Sequence, residues 1–166
     1  MLSSKILGEV LLNYALTIKE VNGGSISIPN VKLTGEIKKN AIFYDFQIKD
    51  AQDKLHYQMT GSIATQGNKM TFALDPSTLL LDYNSWEIPN NNTIVLAADG
   101  ILATNFELSY LQNAITINSQ NQKFNAPLEI GFRNFNIETI TKMTSGDTLL
   151  AGGVINGQVI VKAKWC

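Results

Sequence analysis

The stretch Lys54 to Leu74, KLHYQMTGSIATQGNKMTFAL, limits the fold more than any other part of the chain. Leu55, Tyr57, Met59, Gly61 and Ile63 alternate with His56, Gln58, Thr60, Ser62 and Ala64. A period of two puts the apolar set on one face of a strand and the polar set on the other. Thr65-Gln66-Gly67-Asn68 carries turn chemistry, with Gly67 and Asn68 suited to positive φ. Met70, Phe72 and Leu74 then resume the alternation. The stretch predicts a hairpin with one oily side.

Most of the chain repeats this plan. Leu12, Tyr14, Leu16 and Ile18 alternate with smaller or polar residues, which favours a strand, with a helical turn expected near Ser4 to Gly8. Asn22-Gly23-Gly24 is a turn signal, and Ser25 to Ile28 reads as a strand stopped by Pro29-Asn30. Val31 to Ile37 alternates, as do Ile42, Tyr44, Phe46 and Ile48. After Asp75-Pro76-Ser77, Thr78 to Tyr83 reads as a short apolar strand holding Leu79 and Leu81, followed by Trp86-Glu87-Ile88. Ile94, Leu96 and Ala98 form the next strand, closed by Asp99-Gly100. Phe106, Leu108 and Tyr110, then Ile115 and Ile117, then Leu128, Ile130 and Phe132 follow, divided by turns at Gln112-Asn113 and Asn121-Gln122. Ile137, Ile140 and Met143 are spaced by three, which predicts a short helix ended at Ser145-Gly146-Asp147. Leu149 to Val161 returns to strand. About a dozen strands at roughly 8–12-residue spacing is an all-β pattern. A short echo runs through LTGEI (Leu33 to Ile37), MTGSI (Met59 to Ile63) and LAGGV (Leu150 to Val154).

Composition then narrows function. At 166 residues the chain is expected to form a single section, 1–166, and a 45% apolar share suffices for a core. Only 16% of residues are charged and the net charge is −1, which gives no electrostatic case for nucleic acid. Cys166 is the single cysteine, so no internal disulfide is possible. Nothing at the start reads as a signal peptide and no run has membrane-spanning length, so the segment is expected to be a soluble piece of a longer chain.

Catalysis needs a base beside a nucleophile, paired carboxylates or a metal. His56 is the lone histidine and, on the polar face of its strand, is expected to be solvated. Asp45, Asp50 and Asp53 lack the glycine placement of a calcium loop. Asp75, Asp82 and Glu87 flank turns, where acidic residues are ordinary. Gly152, Gly153 and Gly157 are followed by no Lys-Ser/Thr, so they form no phosphate loop, and read as bulge or close-approach positions. Tyr83, Trp86 and Tyr110 would bind sugar only if exposed; their alternation places them on the inner face. No enzyme, cofactor or metal is expected.

The run MTGSIATQGNKMTFALDPSTLLLDYNSWEIPNNNTIVL, with the Phe106 to Tyr110 strand and AITINS at Ala114 to Ser119, resembles the C-terminal region of the TamB family. This family is related to AsmA, and the likeness is to its Bacteroidetes style. The Pro76 turn, Asn84-Ser85-Trp86, Asn92 before Thr93-Ile94, the run Phe132 to Ile137, and LAGGVINGQV carry the likeness, which covers about two thirds of the chain; residues 1–40 match weakly. The resemblance implies an elongated, curved antiparallel sheet, folded like a taco around an open apolar groove, with at most one or two short helices. It implies a periplasmic section of a protein anchored in the inner membrane of a diderm bacterium and partnering an outer-membrane barrel of the Omp85 type. It implies transport of phospholipid and assembly of outer-membrane proteins.

The residue pattern alone leaves a closed barrel or sandwich open as well, since these also bury one face of every strand. A groove would be lined by Ile42, Tyr44, Phe46, Leu55, Tyr57, Met59 and Ile63 on the first strands. Met70, Phe72, Leu74, Leu79, Leu81, Trp86, Ile94 and Leu96 would continue it. Phe106, Leu108, Ile115, Ile117, Leu128 and Ile130 would complete it. Two functions compete: a conduit for lipid tails, and a scaffold whose sheet edges template nascent outer-membrane strands by strand addition. A carbohydrate-binding or surface sandwich is the remaining reading.

Overall fold

The computed structural model describes residues 11–23, 26–145 and 151–162. Its strands are β1 (Leu11–Gly23), β2 (Ile26–Lys38), β3 (Ala41–Lys49), β4 (Leu55–Gln66) and β5 (Lys69–Leu74). Two short strands follow, β6 (Leu80–Leu81) and β7 (Asn84–Ser85), then β8 (Thr93–Ala97), β9 (Gly100–Thr104), β10 (Phe106–Tyr110) and β11 (Asn113–Ser119). A 3₁₀ turn at Gln120–Gln122 leads to β12 (Leu128–Asn136), helix α1 (Glu138–Ser145) and β13 (Val154–Val161). The expected helical turn at Ser4 to Gly8 lies outside the described residues, as do Gly146, Asp147, Leu149 and Leu150.

All pairing is antiparallel. One sheet has the order β1-β2-β3-β4-β5-β8-β9, and the other β10-β11-β12-β13. Within each sheet the order follows the sequence, with the β6–β7 hairpin set off the main path against β4; the alternating residues form an all-β fold of curved antiparallel sheet. β5 covers β4 only from Gly61 to Gln66. β6 takes up the other half, pairing Leu80 with Gln58. The chain then crosses to the second sheet, where Glu87 pairs with Ser109 through Glu87 N–H to Ser109 C=O (2.7 Å) and Ser109 N–H to Glu87 C=O (3.0 Å). A second crossing is the corner between β9 and β10 at Asn105, which takes φ 48.

The register repeats. On the inner face Leu12, Tyr14, Leu16 and Ile18 of β1 oppose Ile37, Gly35, Leu33 and Val31 of β2. Ile42, Tyr44, Phe46 and Ile48 of β3 oppose Ile63, Gly61, Met59 and Tyr57 of β4 in the same way. The LTGEI and MTGSI echo is therefore a hairpin repeat. Tyr14 lies over Gly35 and donates its hydroxyl to the Phe43 carbonyl at 2.8 Å, and Tyr44 lies over Gly61. A side chain at either glycine would strike its tyrosine and a neighbouring backbone carbonyl. LAGGV does not share this repeat, because 151–153 lie outside any strand.

Several expectations need correction. Pro29-Asn30 does not stop a strand. β2 runs through it: Pro29 pairs with Glu20 in a two-stranded end of the sheet, beyond the point at Val31 where β3 joins. The strand expected over Thr78 to Tyr83 shrinks to Leu80–Leu81. Asp82 (φ 50) and Tyr83 (φ 64) form the two-residue, left-handed loop of a tight hairpin. The loop after β10 sits at Leu111 and Gln112, not Gln112-Asn113, since Asn113 already pairs with Tyr110. Ile101 to Thr104, not assigned from the sequence, belongs to β9.

The core lies where the two sheets face each other. Leu79, Trp86, Ile88 and Phe135 are buried together, with Met59 and Leu74 from the first sheet and Leu108, Tyr110, Ile115 and Phe132 from the second packed around them. Phe135 meets the Trp86 ring edge-on at 6.1 Å between centroids. Among the described residues Asn92 is the most deeply buried polar one. Its side chain accepts from Leu74 N–H (2.7 Å) and donates to the carbonyls of Leu74 (2.9 Å) and Pro89 (2.8 Å). It thereby anchors the chain entering β8 to the end of β5.

Candidate functional site

Cross-strand pairing collects the expected groove residues on one inner surface. One row runs Leu12–Ile37–Ile42–Ile63–Phe72–Ile94–Ala103 across the first sheet. Another runs Tyr14–Gly35–Tyr44–Gly61–Leu74, and a third Leu16–Leu33–Phe46–Met59. Met70 and Leu96 oppose each other at the β5–β8 step, whereas Leu55, expected in the lining, falls beyond a register shift and pairs with Lys49 instead of continuing the Tyr57–Ile48 row. In the second sheet Phe106–Ile117–Ile130–Val159 and Leu108–Ile115–Phe132–Gly157 are the rows, and Leu128 opposes Ser119 and Val161.

These residues do not share one environment. Tyr57, Leu79 and Trp86 are buried by the protein's own side chains, and Leu81 packs against that core. Tyr44, Phe46, Ile63, Phe72, Ile94, Leu96, Phe106, Ile117 and Ile130 are half-buried. Ile42 is more exposed, and Leu12 and Leu16 beside it are 54% and 53% exposed. Total accessible surface is 10933 Å². A compact chain of this mass would expose about 8,100 Å². The inner face is thus sealed in the middle, and carries exposed apolar side chains at β1 and β3 on one side and at β13 on the other.

Sequence reasoning left Leu12, Tyr14, Leu16, Leu33 and Val159 out of the lining. The hairpin echo held the signal for the first four, since it sets β1–β2 in register with β3–β4. Clefts also form away from the middle of the inner face. One of about 390 Å³ is an open depression on the opposite face, lined by Phe43, Thr60, Ser62, Ala73 and Asp75 among others. Another of about 250 Å³ sits between β9 and the β12–β13 ends, lined by Ile101, Pro127, Leu128 and Val161 among others.

His56 is not solvated as expected. Its ring stacks on Tyr83 (centroids 4.1 Å apart, planes 13° apart), and Nε2 lies 3.0 Å from Asp82 Oδ1. Lys142 of α1 reaches Asp82 Oδ2 at 3.1 Å, and the Tyr83 hydroxyl donates to Asp50 Oδ2 at 2.6 Å. The left-handed Asp82-Tyr83 loop makes this cluster, and only the fold brings its members together. Burial pushes the Asp82 carboxyl up, but the bonds from His56 and Lys142 outweigh it and hold the group below its ordinary value. Burial, then the charge of Asp82, raises the Tyr57 phenol well above its usual range. Tyr57 therefore stays a donor, 3.5 Å from the Thr139 carbonyl of α1. The cluster ties α1 to the β6–β7 loop, and both Asp82 oxygens are engaged. No group of three or more His, Cys, Asp or Glu side chains with metal-binding geometry occurs among the described residues. No described helix is long and apolar enough to cross a membrane.

Comparison with protein-family models, curated proteins and solved structures finds no match.

Proposed function

We propose that the chain is a non-enzymatic periplasmic section of a TamB-like protein, whose apolar inner face shields acyl chains during phospholipid movement between the two membranes. The observation that carries this reading is the unsealed inner face at β1 and β3, where Leu12, Leu16 and Ile42 stay exposed in register with the half-buried rows behind them. A tail laid on such a surface leaves water at ~0.8 kcal/mol per methylene, on the order of 10 kcal/mol for a long chain as an upper bound. The lining is apolar and without a deep polar anchor, so a tail slides along it while its headgroup stays in solvent. The inner-membrane anchor, the Omp85-type partner and support of outer-membrane biogenesis belong to the same proposal and rest on the sequence resemblance.

Phe72→Asp or Leu96→Asp tests it. Each puts a charge on the inner face, and each is predicted to abolish uptake of fluorescent phospholipid from vesicles while far-UV circular dichroism stays unchanged. Thr71→Asp, on the opposite face of β5, is predicted to leave uptake intact. Equal uptake by all three variants would remove the conduit. The scaffold reading draws on the edges of β1 and β13 that no described strand pairs, and predicts that edge photoprobes capture nascent outer-membrane strands rather than lipid.

A further inference from the structure

We propose that β13 of one copy of this chain pairs antiparallel with β1 of a second copy, Gly157 opposite Tyr14, so that the sheets of successive copies run on as one. Among the described residues β1 pairs only with β2, and β13 only with β12. Exposed edges are ordinarily blunted by charge, proline or a short strand. These two are not. Leu11 to Ile18 and Val154 to Val161 contain no charged residue and no proline, whereas β2 and β3 carry Lys32, Glu36, Asp45 and Lys49.

The sequence of β13 matches the strand that already accepts this kind of partner. Ile155-Asn156-Gly157-Gln158-Val159 repeats the large–polar–Gly–polar–large order of Leu33 to Ile37 and Met59 to Ile63. In the first sheet, Leu33, Gly35 and Ile37 oppose Phe46, Tyr44 and Ile42. The same register sets Ile155, Gly157 and Val159 against Leu16, Tyr14 and Leu12. Nothing lies within 4 Å of where a Gly157 Cβ would stand, so the approach is open.

Faces and hydrogen bonds agree. Gly157 continues the inner row of Leu108, Ile115 and Phe132, and Tyr14 lies on the inner row of Gly35 and Tyr44, so core sides meet. Ladder bonds alternate along an antiparallel strand. Thr65 N–H bonds to the Asn40 carbonyl (2.7 Å), and counting across β3 and β2 from that pair leaves the outward groups of β1 at Leu11, Asn13, Ala15 and Thr17. Counting from the Glu87–Ser109 pair across β10, β11 and β12 leaves those of β13 at Asn156, Gln158 and Ile160. With Gly157 opposite Tyr14 these sets coincide: Gln158 meets Asn13, and Ile160 meets Leu11. Ile160 and Leu11, 48% and 54% exposed on the outer face, cover each other. The contact is head-to-tail and does not close on itself, so it grows an open row of copies.

Cysteine pairing tests the register in a Cys166→Ser background. Leu12 and Val159 form a non-hydrogen-bonded pair, whose Cα atoms would stand about 4.5 Å apart, within disulfide reach. A Leu12→Cys population mixed with a Val159→Cys population should give a disulfide-linked pair of chains under mild oxidation. The adduct should vanish when Gln158→Pro removes an outward donor from the second population, and when Leu16→Cys replaces Leu12→Cys. No adduct above that of each population alone overturns the proposal. So does a double variant that closes within one chain while the mixture stays unlinked. Sedimentation of the unaltered protein gives an independent reading: mass should rise with concentration above 18.2 kDa, and a monomer at every concentration contradicts the pairing.

Discussion

The middle of the molecule and its β1–β3 wing are written in the same alternating code and end in opposite states. Trp86 is 5% exposed, while Leu12 and Leu16 are more than half exposed. The difference lies in what faces each surface. Opposite Met59 and Leu74 stand Trp86, Leu79 and the inner residues of β10–β12. Opposite Leu12 and Leu16 no comparable layer stands among the described residues, and both stay exposed. A period of two states which side of a strand is oily; a second layer decides whether that side becomes core or an accessible surface.

Truncation gives the largest expected contrast. Trp86→Ala should cost about 3–5 kcal/mol in urea unfolding, because it empties a packed site. Leu16→Ala should change stability by less than about 0.5 kcal/mol. Similar costs at the two positions would erase the distinction between core and wing. Among the described residues the indole N–H of Trp86 has no hydrogen-bond partner, and the ring is held there by packing. Asn92→Ala comes next. It strips partners from the Leu74 N–H and from the carbonyls of Leu74 and Pro89 near the sealed middle, and should cost about 2–3 kcal/mol in the same assay.

Gly61→Ala tests the boundary between the two regions. The added Cβ meets the Ala73 carbonyl and the Tyr44 ring, so β4 and β5 must part, at about 1–3 kcal/mol. Hydrogen exchange should quicken first along β5 rather than in the core around Trp86.

The smallest effect concerns α1. The folded Asp82 carboxyl sits below its ordinary 3.8. Its stabilising contribution is therefore complete above that pH and lost as pH falls through the lowered value. Protection of α1 amides relative to their intrinsic exchange should stay constant from pH 7 to 5 and fall only below 3.8. Asp82→Asn should remove part of that acid response, with Asp50 and Asp75, also held low by hydrogen bonds, supplying the rest. Lys142 is exposed enough that its pair with Asp82 should contribute at most about 1 kcal/mol at neutral pH.

The strands, the turn at Gly67 and the Ile137 to Met143 helix were legible because each is written in local periodicity or turn chemistry. The buried Asn92, the Asp82-Tyr83 loop and the passage of β2 through Pro29 were not. Asn92 lies among three asparagines, and only its distance to Leu74 singles it out. Asp-Tyr is no standard two-residue turn signal, and the His56 and Lys142 contacts that hold the loop come from far along the chain. Pro29 lies in the two-stranded end of the sheet, two residues before β3 joins, a fact of pairing rather than of composition. For the inner face, alternation showed which residues share a side. It did not show that Tyr57, Leu79 and Trp86 would be sealed while Leu12 and Leu16 stayed open.

The most direct measurement places a benzophenone amino acid at Leu16 or Phe46 on the inner face, and at Thr17 or Gln47 on the outer face, then irradiates with phospholipid vesicles. Lipid adducts at Leu16 and Phe46, with none at Thr17 or Gln47, are the predicted result. Equal labelling of both faces, or no lipid at either inner position, would contradict an inner surface that takes up acyl chains.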